Sequence, residues 1–221
     1  MYDAIRRLFY RASLGDHSYL FLFEPGPPEE YVALDCETTG LNPRVDDIIA
    51  IAAVRIRGNR ILTSERFEAI VRPDRKPTSD SIKVHQLREQ DVEAGAMMFR
   101  ILPDLLRFIG GRPIVGYYID FDIRMLDKYV LRQIQTKLPN PRVEVSKMYY
   151  ACKYRGAPSN TLYDLRFSSI LSDLGIPALD QHDALNDTLM TAMMYLQLRD
   201  MLERGVRISR PRARAEHAPI G

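Results

Sequence analysis

The apolar residues keep a two-residue period early in the chain and a period of three to four later. This change marks strands giving way to helices. Tyr31 to Gly40 starts with a short apolar run of strand composition. Ile48 to Arg57 reads as a second strand, buried at first and alternating later, and Gly58-Asn59 is a hairpin signal. Arg60 to Val71 gives a third strand, closed by Pro73. Three sequential strands with tight connections predict an antiparallel meander. Met97, Ile101, Leu105, Leu106 and Ile109 then mark a helix over about 97–109, stopped by Gly110-Gly111. Pro113 to Tyr118 reads as a strand, Asp120 or Phe121 to about Gln135 as a helix, and Val143 to Val145 as a fifth strand. Two more helices are expected over about 161–174 and 183–204. The order βββαβαβαα predicts an α/β fold: a mixed five-stranded sheet, antiparallel meander plus parallel strands, flanked by helices.

The ends read differently. Ile5, Leu8, Phe9 and Ala12 share one helical face over residues 2–14, with Arg6, Arg7 and Arg11 around it. Such a helix is expected to pack on its own domain, with docking to a protein partner as the alternative. Pro25-Gly26-Pro27-Pro28 reads as a linker, and residues from Gly205 onward as a flexible basic tail. The expected division is an N-terminal extension over 1–29, one domain over 30–204 and a tail over 205–221.

Composition narrows the class. Hydrophobic content of 46% beside charged content of 27% is that of an ordinary globular protein. No apolar run approaches the roughly 20 residues a membrane span needs, and no signal peptide is evident. Cys36 and Cys152 have no metal-ligand spacing, and with one inside the key strand a disulfide is not expected. A reducing, cytoplasmic setting is the simpler reading.

The chemistry gathers in three places. In Y-V-A-L-D-C-E-T-T-G, alternation puts Asp35 and Glu37 on one face of the first strand. Adjacent acids on a buried strand repel unless a cation sits between them, which suggests a divalent-metal site. A strand fraying into solvent at Asp35 would accommodate them too. In G-Y-Y-I-D-F-D, Asp120 is assigned to the helix cap and Asp122 to the site. In Q-H-D-A-L-N-D-T-L-M-T-A, Asp183 is expected to cap the last helix, leaving His182 just outside it. Asp187 then lies one turn in, sharing a face with Ala184, Thr191 and Met194. An acid on a core-facing stripe is costly unless paired or metal-bound.

Together, D-x-E-T-T-G, the F-D junction and H-x-A-x-x-D resemble the DEDDh branch of the DEDD 3′–5′ exonucleases. The likeness is to the proofreading epsilon subunit of bacterial DNA polymerase III and its stand-alone relatives, over roughly residues 30–200. It implies an RNase H-like fold and two divalent ions, Mg²⁺ or Mn²⁺. Their ligands would be Asp35, Glu37 and Asp187, with Asp122 completing the cluster and His182 as general base. The implied reaction releases nucleoside 5′-monophosphates from single-stranded or frayed 3′ ends of DNA, with RNA as the alternative substrate. Thr38, Thr39 and Gly40 would meet the terminal sugar, while His85 and Leu87 would touch the last bases. Phe121 would stack on a base or serve the core. The chain departs from the family pattern at Tyr117-Tyr118, where relatives often carry His-Asn. It departs again at Ser146-Lys147, in place of Asp-Thr, and at Gln86, where glycine is common. A non-catalytic nucleic-acid-binding subunit is the reading from another class, disfavoured because all five chemical residues are present.

Overall fold

Strand β1 (Glu30–Thr38) lies inside a six-stranded sheet of order β4-β3-β2-β1-β5-β6, in a computed structural model that describes residues 2–74, 89–180 and 182–209. Strands β2 (Ile48–Arg57) and β3 (Arg60–Arg72) form the antiparallel meander with β1. β5 (Ile114–Gly116) pairs parallel with β1, and β6 (Arg142–Glu144) pairs parallel with β5. This is the mixed sheet that the order of elements predicts, with one strand more. β4 (Ala96–Met97) pairs parallel with β3 at Val71 and Arg72, and two residues are too few to show a period.

The helices are α1 (Tyr2–Ala12), α2 (Glu89–Ala94), α3 (Met98–Ile109), α4 (Ile119–Ile134), α5 (Val145–Lys153), α6 (Phe167–Leu174) and α7 (Ala184–Glu203). Several boundaries differ from the sequence reading, and β5 is three residues, Ile114–Gly116, rather than Pro113 to Tyr118. Val145 opens α5 rather than ending a strand, because the Glu144 side chain accepts from Ser146 N and caps a helix there. The helix expected from 161 begins only at Phe167. Asp164 accepts from the Arg166 amide and the Ser169 hydroxyl, a local turn that competes with helix, and Leu162 is exposed.

Each face of the sheet carries its own core. Val32, Leu34 and Cys36 pack on one side with Leu102, Leu106 and Ile109 of α3 and Ile123 and Leu126 of α4. Ala33 packs on the other with Tyr149 of α5 and Met190, Met194 and Leu198 of α7. Burying such side chains stabilises by about 1.5–3 kcal/mol each. Alternation therefore aims Asp35 and Glu37 at the α7 side. Cys36 and Cys152 are buried free thiols, one in each core.

The N-terminal segment splits in two. A 3₁₀ helix at His17–Phe23 plugs Leu22, Phe23 and Tyr19 into the α3 side of the core, so this stretch is part of the main body. In α1, by contrast, Ile5, Leu8 and Phe9 are exposed, which corrects the expectation that this face packs on its own domain. Among the described residues no helix is long and apolar enough to cross a membrane.

Candidate metal centre

The site forms where α7 meets the β1–β2 pair. Asp35 is the register partner of Ala52, and Glu37 of Ala50. Ala50 and Ala52 pack against Ala184, the first residue of α7. Three small side chains let the helix end approach the sheet closely. One turn on, the Thr188 hydroxyl donates to the Ala52 carbonyl at 3.2 Å. The helix start is fixed by Asp183, whose side chain accepts from Asn186 N at 2.9 Å. These constraints carry Asp187 to the sheet. Single carboxylate oxygens of Asp35, Glu37 and Asp187 lie within 4.8 Å of one another.

Asp122 is not one of these three and approaches β1 from the neighbouring edge. Val32 N donates to Pro113 O, but pairing with β5 ends at Ala33–Val115. The Cys36 amide, on the same edge of β1, donates instead to Asp122 Oδ1 at 3.1 Å. The α4 start that carries Asp122 is held by Glu144, which accepts from Tyr118 N and Ile119 N at 2.9 Å each. Asp120 therefore does not cap α4, contrary to the sequence reading. It sits in the first turn and pairs with Arg142 at 2.6 Å.

Electrostatically the cluster is an excess of buried negative charge. Burial pushes Asp35 well above the usual carboxylate range, and the charges acting most strongly on it are Asp122, Glu37, Asp187 and Asp183. Burial also lifts Asp122 to about 8, against the amide bonds it accepts. Asp187 is lifted to about 6, again by burial first. Its Oδ2 accepts from His182 N at 3.2 Å, while its buried Oδ1 has no hydrogen-bond partner. Hard oxygen donors, mutual repulsion and an unpartnered buried oxygen fit a divalent cation.

A family profile described as "Exonuclease" matches residues 32–195, from β1 through most of α7. The chain belongs to the DEDDh-type 3′–5′ exonuclease family. Among its relatives, the DNA polymerase III subunit epsilon of Aquifex aeolicus is 26% identical over 78% of this chain and 81% of that protein. The PolC-type DNA polymerase III of Thermotoga maritima is 27% identical over 79% of this chain, which spans 12% of that relative. The zinc-bound form of E. coli exonuclease I in complex with single-stranded DNA superposes with a TM-score of 0.66 at 20% identity, over 80% of this chain and 42% of the other. At that identity the likeness shows the fold, and the fold is RNase H-like. Family membership marks the matched region as a nuclease.

The other residues singled out from the sequence fall as follows. His182 is exposed, with φ 66°. It borders a groove of about 350 Å³ that is also lined by Glu37, Glu68 and Leu185. The Thr38 hydroxyl donates to Gly40 O at 2.8 Å, and Thr39 Oγ1 accepts from Asp47 N at 3.0 Å, so both hold the turn after β1. A Cβ on Gly40 would sit 2.5 Å from Asp46 Oδ2, so any larger residue there would displace the Asp46 side chain. Phe121 packs half-buried against the α3–α4 core. His85 and Leu87 lie outside the described residues.

Three residues with a structural part in the site went unnoticed in the sequence: Glu144, Thr188 and Asp47. Asp47 accepts from Lys128 Nζ at 2.6 Å and from the Tyr129 hydroxyl at 2.9 Å, tying the turn after β1 to α4. Thr188 was findable, being four residues after Ala184 on the inward stripe. Nothing local distinguishes Glu144 or Asp47 from other strand-end acids.

Proposed function

We propose that this chain is a metal-dependent 3′–5′ exonuclease that hydrolyses the terminal phosphodiester of single-stranded or frayed DNA, releasing nucleoside 5′-monophosphates. Asp35, Glu37 and Asp187 would hold divalent cations, Mg²⁺ or Mn²⁺, with Asp122 behind them. Such ions, when bound, neutralise charge developing on the phosphoryl oxygens. His182, at the mouth of the groove, accepts the proton of the attacking water at its imidazole, a group suited to that task near neutral pH. Its backbone amide donates to Asp187, which couples the position of the base to that carboxylate. Asp122 holds the end of β1 in place through the Cys36 amide.

The observation that carries this reading is the convergence of Asp35, Glu37 and Asp187, with a buried Asp187 oxygen left unpartnered. Matched DNA and RNA strands, digested with Mg²⁺ or Mn²⁺, test it. Wild-type protein is expected to release 5′-mononucleotides from the 3′ end, and Asp35→Ala and His182→Ala to lose at least 100-fold in rate, on the order of a general base's contribution. Equal release by wild type and Asp35→Ala would reject it. The paired strands also decide between DNA and RNA.

A further inference from the structure

A cationic cleft of about 450 Å³ runs along the open edge of β6, between α1 and the first turns of α4 and α5. Arg6 and Arg7 line it from α1, Arg142 from β6 and Lys147 from α5, together with Asp120. Among the described residues, Asp120 and Asp127 offset part of this charge. Asp120 pairs with Arg142, and Asp127 accepts from Leu138 N in the interior while feeling Arg142, Lys137 and Arg6. Arg7 makes two long hydrogen bonds of 3.5 Å, to Pro139 O and Glu24 O, and lies over the Phe23 ring. Buried Nε of Arg142 has no hydrogen-bond partner, and Lys147 is exposed.

The cleft adjoins the elements that place Asp122. Asp120 is two residues from Asp122 on α4, and Lys147 follows Ser146, whose amide bonds Glu144 at 3.1 Å. Glu144 also holds the start of α4, so one wall of the cleft is joined to the metal centre. The three residues of β6 span about 10 Å, enough for a short run of nucleotides. Arg6 and Arg7 precede the region matched by the family profile, so the extension adds charge that the shared domain does not supply.

We propose that this cleft binds the phosphodiester backbone of the strand whose 3′ end lies at Asp35, Glu37 and Asp187, and that α1 thereby lengthens the nucleic-acid site. The proposal rests on the exonuclease reading of that centre. Phosphates are the anions that suit it, because they repeat along a polymer that the neighbouring site already engages at its end. Neutralising each phosphate contact on a single strand changes the slope of log affinity against log salt by about 0.7.

The test is fluorescence anisotropy with hydrolysis-resistant phosphorothioate oligo(dT) and oligo(U) over a salt series. It uses wild type, Arg6→Gln/Arg7→Gln, Lys147→Gln and a control, Arg204→Gln, at the far end of α7. The double variant is expected to bind about tenfold more weakly, with a slope shallower by about 1.4, and Lys147→Gln to lose about half that slope. A loss on either strand type supports the cleft and tells which backbone it takes. Hydrolysis of a dinucleotide, whose single phosphodiester is the one being cut, is expected to stay unchanged in both. Unaltered slopes, an equal loss in the control, or a matching loss on the dinucleotide would overturn the proposal. A wild type that binds with the full slope yet hydrolyses neither strand would support the cleft and reject the exonuclease reading instead.

Discussion

Thr188 donates to the carbonyl of Ala52, and Ala52 is the register partner of Asp35. One hydrogen bond thus fixes how α7 sits against the strand pair that bears the acids. Thr188→Val keeps the shape but loses that bond, worth about 1 kcal/mol. The expected outcome is a modest fall in melting temperature with a larger fall in Mn²⁺ affinity. Ala184→Leu should be harsher, since overpacking costs about 1–3 kcal/mol and lifts Asp187 away from Asp35. Thermal melts beside Mn²⁺ titration check both.

Asp187→Asn removes repulsive charge from a centre that carries too much of it. The metal-free variant is expected to melt higher than metal-free wild type at pH 8. Its melting temperature should no longer respond to Mg²⁺ or Mn²⁺, because a ligand stabilises only the folded state that binds it. Calorimetry with and without chelator separates the two effects.

The raised carboxylates give the metal-free protein a defined pH profile. An acid whose folded-state pKa lies above its ordinary value binds its proton more tightly when folded. The stability it contributes is therefore complete below pH about 4 and is lost as the pH rises through the folded value. Asp187, at about 6, should cost stability from mildly acidic pH upward. Asp122, at about 8, extends the loss past neutrality, and Asp35 adds to it in the same direction. Denaturant titrations without metal are expected to weaken between pH 5 and 8, on the order of the folded values. Saturating Mg²⁺ should flatten that slope.

Glu144 accepts from three amides, those of Tyr118, Ile119 and Ser146. Glu144→Ala strips the cap from two helices at once, and a lost cap costs about 0.5–2 kcal/mol. The rate should fall with it, as Asp122 loses its fixed start. Glu144→Gln keeps one acceptor oxygen and is expected to recover part of both. Urea unfolding beside single-turnover rates distinguishes the two losses.

The two halves of the N-terminal segment should respond oppositely to mutation. Leu22→Ala empties a fully buried position and is expected to cost about 2–5 kcal/mol. Leu8→Gln, on the exposed α1 face, should stay within about 0.5 kcal/mol. Equal losses in chemical denaturation would mean that the α1 face packs on the main body.

The meander and the long helices were legible because each runs long enough to repeat its period. Asp35, Glu37 and Asp187 stood out because acids at core-facing positions are costly without a partner, Asp122 because it opens a helix where a strand ends, and His182 because it precedes the helix that carries Asp187. β4 is too short for a period, and α6 starts late because the Asp164 side chain competes for the local amide. Asp120 was assigned the cap that Glu144 makes from β6, a partner distant in sequence. The α1 face had a helical pattern either way, and pattern alone does not tell what covers it.

The short reach of β5 has a further meaning. Asp122 occupies the position on β1 where a longer neighbour would have laid its own backbone. Inserting residues that extend β5 would hand the Cys36 amide to a carbonyl and evict the carboxylate. The carboxylate meets β1 where the ladder stops, so the length of a three-residue strand decides whether Asp122 can bond there.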